Sequence, residues 1–313
     1  MSEGIRNFLF VCAALIVIYA ALCFAGCQNN QITENRYDIN DAFEGIQIDV
    51  IGADVSILPT EENTAKVVCF EKEKVMHSVY VQDGALHISA VDTRAWYNHI
   101  SPFSFKTPSV TVYLPNQIYA ALVIKNDTGD IEVNEIFTFE SANISVSTGD
   151  VCYAAKTNGE MRVKTSTGDI SVQNTSVGAL DLSVSTGKIN VSSLACAGDV
   201  SIAVSTGKTH LKDLSCQSLQ STGDTGDLTL ENVIAEAKIT VKRSTGDVQF
   251  TSCDAAEVFV KTSTGDVRGT FLSDKIVFAE TSTGKVDVPK STVGGRCEIK
   301  TSTGDIKIEI KGN

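Results

Sequence analysis

Ten glycines, at positions 129, 149, 168, 187, 207, 226, 246, 265, 284 and 304, recur every 19 or 20 residues, each preceded by Thr and followed by Asp or Lys. A period this regular is the mark of a solenoid, and it is shorter than ankyrin, tetratricopeptide or propeller-blade repeats. Five residues before the glycine stand Ile124, Ile144, Val163, Leu182, Ile202, Ser221, Val241, Val260, Ala279 and Ile299. Two residues after it stand Ile131, Val151, Ile170, Ile189, Thr209, Leu228, Val248, Val267, Val286 and Ile306, and four after it Val133, Tyr153, Val172, Val191, Leu211, Leu230, Phe250, Gly269, Val288 and Ile308. Apolar residues at every second position, rich in β-branched types, describe half-buried strands and not helices.

Each repeat therefore reads as strand, turn, strand. One such unit cannot bury its own inner face, whereas stacking turns each column into a continuous aliphatic ladder. The expected fold is all-β, a β-solenoid (β-helix-like) of about ten coils of 19–20 residues. The glycine suits a turn that needs positive φ. The unit at Gly226 departs from the pattern, because Ser221-Thr222-Gly223-Asp224-Thr225-Gly226 doubles the motif and puts Ser221 in a core column. A register slip or a small bulge is expected there.

Of 313 residues, 42% are hydrophobic and 20% charged, which is enough apolar material for a core. A net charge of −12 disfavours a phosphate-binding surface, so nucleic acid is not an expected partner. The nine cysteines contain no CxxC pair and the four histidines no HExxH, so neither a metal site nor a cofactor is expected. Cys196 and Cys216, each nine residues after its glycine, fall in one column of adjacent coils. Their side chains then point the same way, and two buried thiols are expected in place of a disulfide.

The residue after each glycine is acidic except at Lys188, Lys208 and Lys285, which draws an acidic ridge along one edge. The nine-residue pattern of calcium-binding β-rolls is missing, and the ridge is expected to accept backbone hydrogen bonds at the turn. Catalytic motifs are missing too: there is no GxSxG, Walker A or GxGxxG, and no repeat carries its own acid–base cluster, so no catalytic residue is expected.

Phe8 to Ala25 is an uncharged apolar run long enough to cross a bilayer as a helix. It is followed by Gly26-Cys27 and a polar stretch, which resembles a bacterial lipobox with Cys27 as the lipidation candidate. Residues 1–27 are thus a lipoprotein-type signal or a transmembrane anchor, and the rest of the chain is expected outside the cytoplasm. Residues 28–37 read as a polar tether, 38–126 as a β-rich lead-in continuous with the solenoid, and 127–313 as the repeats. Within the lead-in, Trp96, Tyr97, Phe103 and Phe105 lie on a segment closed by Pro108. These aromatics form either a partner-binding loop or a cap over the first coil.

Phe43-Glu44-Gly45-Ile46, Ala53-Asp54-Val55-Ser56-Ile57, Asp83-Gly84-Ala85-Leu86-His87-Ile88 and Val112-Tyr113-Leu114-Pro115, followed by the Thr-Gly-Asp train, resemble the bacterial DUF4097 family over about residues 40–310. The resemblance implies a non-catalytic, adhesin-like surface protein of β-solenoid form, with an unknown surface, cell-wall or membrane protein as partner. It also implies an alternative, a cell-envelope stress sensor or regulator. A carbohydrate-active β-helix enzyme is the third possibility, and no site residues carry over from the family.

Overall fold

The computed structural model describes residues 32–72, 75–92 and 108–311. Among these residues all regular structure is strand, joined in a single sheet of 25 strands. The glycine coils stack in parallel and in register: Ile144 faces Ile124 on one side and Val163 on the other, and Val163 faces Leu182 in turn. These residues and the following columns, including Ile131, Val151, Ile170 and Ile189, are fully buried. The chain is a β-solenoid.

Each of the ten turn glycines has φ between +129° and +151°. Stacking adds a second demand, since a Cβ on Gly168 would run into the carbonyl oxygen of Gly149 on the preceding coil. The rest of the coil differs from the strand–turn–strand expectation. Strands such as Ile170–Thr186 run without a break around the far corner. That corner is made by a single left-handed residue six positions after the glycine: Asn174, Ser193, Asp213, Asn232 or Ser252, with φ between +51° and +53°. Asn, Asp and Ser reach this conformation because a short polar side chain can hydrogen-bond locally.

The lead-in supplies further levels of the same rod. Strands β1 (Ile32–Ile39), β2 (Gly45–Val50), β3 (Asp54–Pro59), β4 (Ala65–Lys72), β5 (Val75–Gln82), β6 (Ala85–Asp92) and β7 (Ser109–Leu114) precede the repeats. β2 and β3 form a coil beneath the Gly129 turn, pairing Ile48 with Ile124 and Val55 with Ile131. Ala53 holds the glycine position in this coil, so the glycine count passes over it. β6 and β7 then stack on the outer side of β2 and β3, so the later strands lie farther out than the earlier ones. Antiparallel β5 on β6, β4 on β7 and β1 on β4 close this end. β1 begins inside the stretch expected as a tether: alternating Asn35, Tyr37 and Ile39 pair with Cys69, Val67 and Ala65, and the backbone bonds of β4 require that partner.

The opposite end is also out of chain order. Gly295–Thr303 and Ile306–Ile310, which form the Gly304 coil, sit between the Gly265 coil and the Gly284 coil. Ile299 faces Val260 inward and Ala279 outward. Side-chain volume accounts for the exchange. The Gly304 coil carries buried Ile299, Ile306 and Ile308, whereas the Gly284 coil offers Ala279 and a two-residue strand ending before Pro289. Proline cannot extend a ladder and is suited to an edge. The outer coil accordingly leaves Phe278 and Val286 exposed. It is tied down by Lys275, itself buried, whose Nζ passes over Gly295 to reach Asp254 Oδ1 at 2.6 Å.

Across the doubled motif itself the register holds, and the one shift of this strand against the next lies just before it, between Cys216 and Ser218. Ser221 stays in register between Ile202 and Val241, and Gly223 faces Arg243. The guanidinium of Arg243 fills the volume that Ser221 and Gly223 leave empty, donating to Ser221 Oγ at 2.9 Å and to Thr222 O and Thr209 Oγ1 at 3.3 Å. Burial holds its pKa down at about 10, with Asp227 opposing the shift.

Candidate functional site

Two long surfaces and one buried cluster carry polar side chains in organised positions. The first surface is the ridge beside the glycine turns. Asp150 N–H donates to Asp130 Oδ1 at 2.8 Å, Asp169 N–H to Asp150 Oδ1 at 2.7 Å and Lys188 N–H to Asp169 Oδ1 at 2.7 Å. Asp54 of β3 starts the series by accepting from Asp130 N–H at 3.0 Å. Each carboxylate thus bonds the next coil, not its own turn. The ladder also follows the exchanged order, running from Asp266 to Asp305 to Lys285. One oxygen of each of these acids is committed to folding. Lys188 and Lys208 interrupt the series, and Lys208 Nζ rests 3.1 Å from Asp227.

The second surface is the far corner. Its left-handed residues leave an open groove of about 480 Å³, lined by Glu135, Lys156, Asn174, Ser176, Ser193 and Asp213 among others. Asn232 Nδ2 donates to Asp213 Oδ1 at 2.8 Å, so the corner carries its own short polar ladder. The lining side chains are hydrogen-bonding groups of both charges set along the rod. Such a surface can recognise a polar, extended ligand without doing chemistry on it.

The buried cluster lies in the N-terminal cap, where Cys69 and Glu71 of β4 meet His77 of β5. His77 Nδ1 is 2.9 Å from Glu71 Oε1, which also accepts the His77 backbone N–H. Burial, and then the charge of Glu71, push the Cys69 thiol up to about 12. Among the described residues these are the ones that could hold a metal ion. They span only residues 69–77, on two strands that pair antiparallel at Lys72 and Val75, but their spacing matches none of the usual metal-ligand motifs. The available signal was Glu71 in the alternation Ala65, Val67, Cys69, Glu71, where an apolar residue is due.

Of the residues singled out from sequence, Cys27, Trp96, Tyr97, Phe103 and Phe105 lie outside the described residues. Cys196 and Cys216 sit on adjacent coils as free, buried thiols, and Cys196 Sγ is 3.5 Å from Gly198 O. Among the described residues no helix is long and apolar enough to cross a membrane.

A family model described as Toastrack DUF4097 matches residues 43–203 and again residues 195–313. No curated protein matches the sequence. Similar solved structures include a "putative adhesin" from Bacteroides fragilis, with 13% identity over 90% of this chain and 98% of that chain and a TM-score of 0.46. Another "putative adhesin", from Parabacteroides merdae, has 15% identity over 90% and 97% of the two chains and a TM-score of 0.46. A "putative lipid binding protein" from Parabacteroides distasonis has 14% identity over 90% and 98%, with a TM-score of 0.45.

Proposed function

The chain belongs to the DUF4097 family, and from that premise we propose that it is a membrane-anchored, extracytoplasmic β-solenoid of adhesin-like type that binds another surface or envelope molecule without catalysis. The observation that carries this reading is the polar far-corner groove, an open strip of about 480 Å³ beside repeats whose inner face is consumed by folding. A rigid rod offers such a strip as a fixed array. Its groups are pre-organised by the ladder behind them, which lowers the entropy lost when an extended partner is held. The apolar run of residues 8–25 supports anchoring, with lipidation at Cys27 as one route to it.

The test offers the full-length chain, held in detergent micelles, to isolated cell wall, to foreign surface glycoproteins and to membranes of the producing cell. Ser176→Arg/Ser215→Arg, which fills the groove from outward-facing positions, is run beside it. Retention of wall or foreign material, lost in the double variant, supports the adhesin-like reading. Selective capture of a membrane protein from the producer would favour the envelope-regulatory role. Binding that survives the double variant removes the groove from the proposal.

A further inference from the structure

We propose that Cys69, Glu71 and His77 form a binding site for a divalent transition ion of the zinc class, built into the N-terminal cap of the solenoid. One sulfur, one carboxylate oxygen and one imidazole nitrogen lie within 4.8 Å of one another. All three residues are buried, with relative exposures of 0%, 1% and 5%. The arrangement follows from the cap's construction: β4 and β5 pair antiparallel at Lys72 and Val75, which brings His77 back beside Glu71, while β4 is also hydrogen-bonded to β7 and β5 to β6.

A cap needs only to cover apolar surface. Along β4 the inward positions are Ala65, Val67, Cys69 and then Glu71, and the partner facing Glu71 is an imidazole where an aliphatic would serve. A carboxylate and an imidazole withdrawn from water are unfavourable compared with well-packed hydrophobic residues of similar volume. Capping alone gives no reason for them. No hydrogen bond engages the Cys69 thiol among the described residues.

The surroundings orient the ligands. Asn35 Nδ2 of β1 donates to Glu71 Oε2, which leaves Oε1 directed at His77. Tyr37 O–H donates to the backbone carbonyl of His77 at 3.2 Å. Partners of this kind fix ligand geometry at metal centres. The donor set selects the ion: thiolate with imidazole and one carboxylate suits zinc, whereas calcium and magnesium take oxygen ligands. Coordination through Nδ1 moves the proton held between this nitrogen and Oε1 to Nε2, leaving the imidazole neutral, and the thiol ionises, its proton leaving to water. The Nδ1–Oε1 hydrogen bond is then replaced by two bonds to one ion. The site is independent of the groove, and its test does not depend on what the groove binds.

The experiment titrates the metal-stripped, full-length chain in micelles with Co(II), whose thiolate complexes show sulfur-to-metal charge-transfer absorption. The expected result is a charge-transfer band that saturates at one Co(II) per chain, is displaced by Zn(II), and vanishes in Cys69→Ala. Glu71→Gln and His77→Gln are expected to weaken binding by about tenfold or more. X-ray absorption of the zinc-loaded native chain needs no variant, and a shell of one sulfur with nitrogen and oxygen is expected. No charge-transfer band in the native chain, a band that survives Cys69→Ala, or a zinc shell without sulfur would overturn the proposal.

Discussion

Arg243 and Gly223 face each other on adjacent coils, and the guanidinium of one occupies the space where the other has no side chain. A Cβ on Gly223 would collide with Arg243 Nη1, and Gly223 is not among the positive-φ residues, so space alone selects glycine there. Gly223→Val is expected to destabilise the rod by about 2 kcal/mol or more through overpacking. In an Arg243→Val background the same change restores the aliphatic pattern of Val184 and Val204 and is expected to cost less than in the parent, the approach of the new Cβ to Val204 O at 2.9 Å remaining. A double-mutant cycle from urea unfolding measures the coupling, and additive single effects would reject the steric account.

The core columns carry the stacking energy. Val163 is fully buried between Ile144 and Leu182, each on a neighbouring coil. Val163→Asp puts an unpaired carboxylate in that ladder and is expected to cost about 3 kcal/mol or more. Thermal unfolding followed by far-UV circular dichroism checks this, and an unchanged midpoint counts against the stacked core.

The acidic ridge stabilises by accepting, and the two halves of that statement can be separated. Asp150→Asn keeps an oxygen for the Asp169 N–H and is expected to leave stability nearly unchanged, whereas Asp150→Ala is expected to lose about 1 kcal/mol. Equal losses in both variants, read from urea midpoints, would show that charge and not hydrogen bonding is at work.

The exchanged coil order makes a cross-linking prediction. Arg268 is in register with Lys307, and Asp287 lies on the far side of Lys307. Adjacent ladder positions lie about 4.8 Å apart with side chains pointing the same way, within the span of a short bis-thiol cross-linker, and positions two coils apart lie about twice as far away. Arg268→Cys/Lys307→Cys is expected to be joined by a short bis-alkylating thiol reagent and Arg268→Cys/Asp287→Cys to remain unjoined. Stacking in chain order would give the reverse under electrophoresis and peptide mapping.

Buried thiols set an alkaline limit. Desolvation pushes Cys216 and Cys297 up to about 12 from the ordinary thiol value of 9.0. Below pH 9 the thiols are protonated in both states and their contribution is fully present. Between 9 and 12 the unfolded chain ionises while the folded one does not, so stability falls as pH rises. The slope is about 1.4 kcal/mol per pH unit for each thiol. Urea unfolding at about pH 8.5 and about pH 10.5 is expected to show a smaller loss in Cys216→Ala/Cys297→Ala than in the parent. Identical losses would assign the alkaline sensitivity to other groups.

The far-corner ladder of Asn174, Ser193, Asp213, Asn232 and Ser252 was present in the sequence at a constant offset from the glycine, yet it carried no legible signal. Polar residues are common between strands, and only backbone geometry distinguishes one in the left-handed region. The buried cluster of Cys69, Glu71 and His77 was hidden for a related reason. Its members all lie within residues 69–77, Cys69 and Glu71 on β4 and His77 on β5, which pair antiparallel at Lys72 and Val75, but their spacing matches no metal-ligand motif and only their shared burial marks them. Arg243 stands between these cases: Ser221 and Gly223 were visible as misfits, but their compensation lies a whole coil away.

What the sequence determined by itself is the coil. A period of 19 or 20 residues, alternating aliphatics and a glycine at each turn leave no alternative to a parallel stack, because each unit must bury its inner face against the next. What the tertiary structure alone decided is the order of the coils at the two ends. Local patterns there are nearly interchangeable, so the choice falls to volume and edge chemistry. The aliphatic-rich Gly304 coil goes inside, and the coil with Ala279 and Pro289 takes the exposed edge. That is a comparison between whole coils, and it is made only when they compete for the same neighbour.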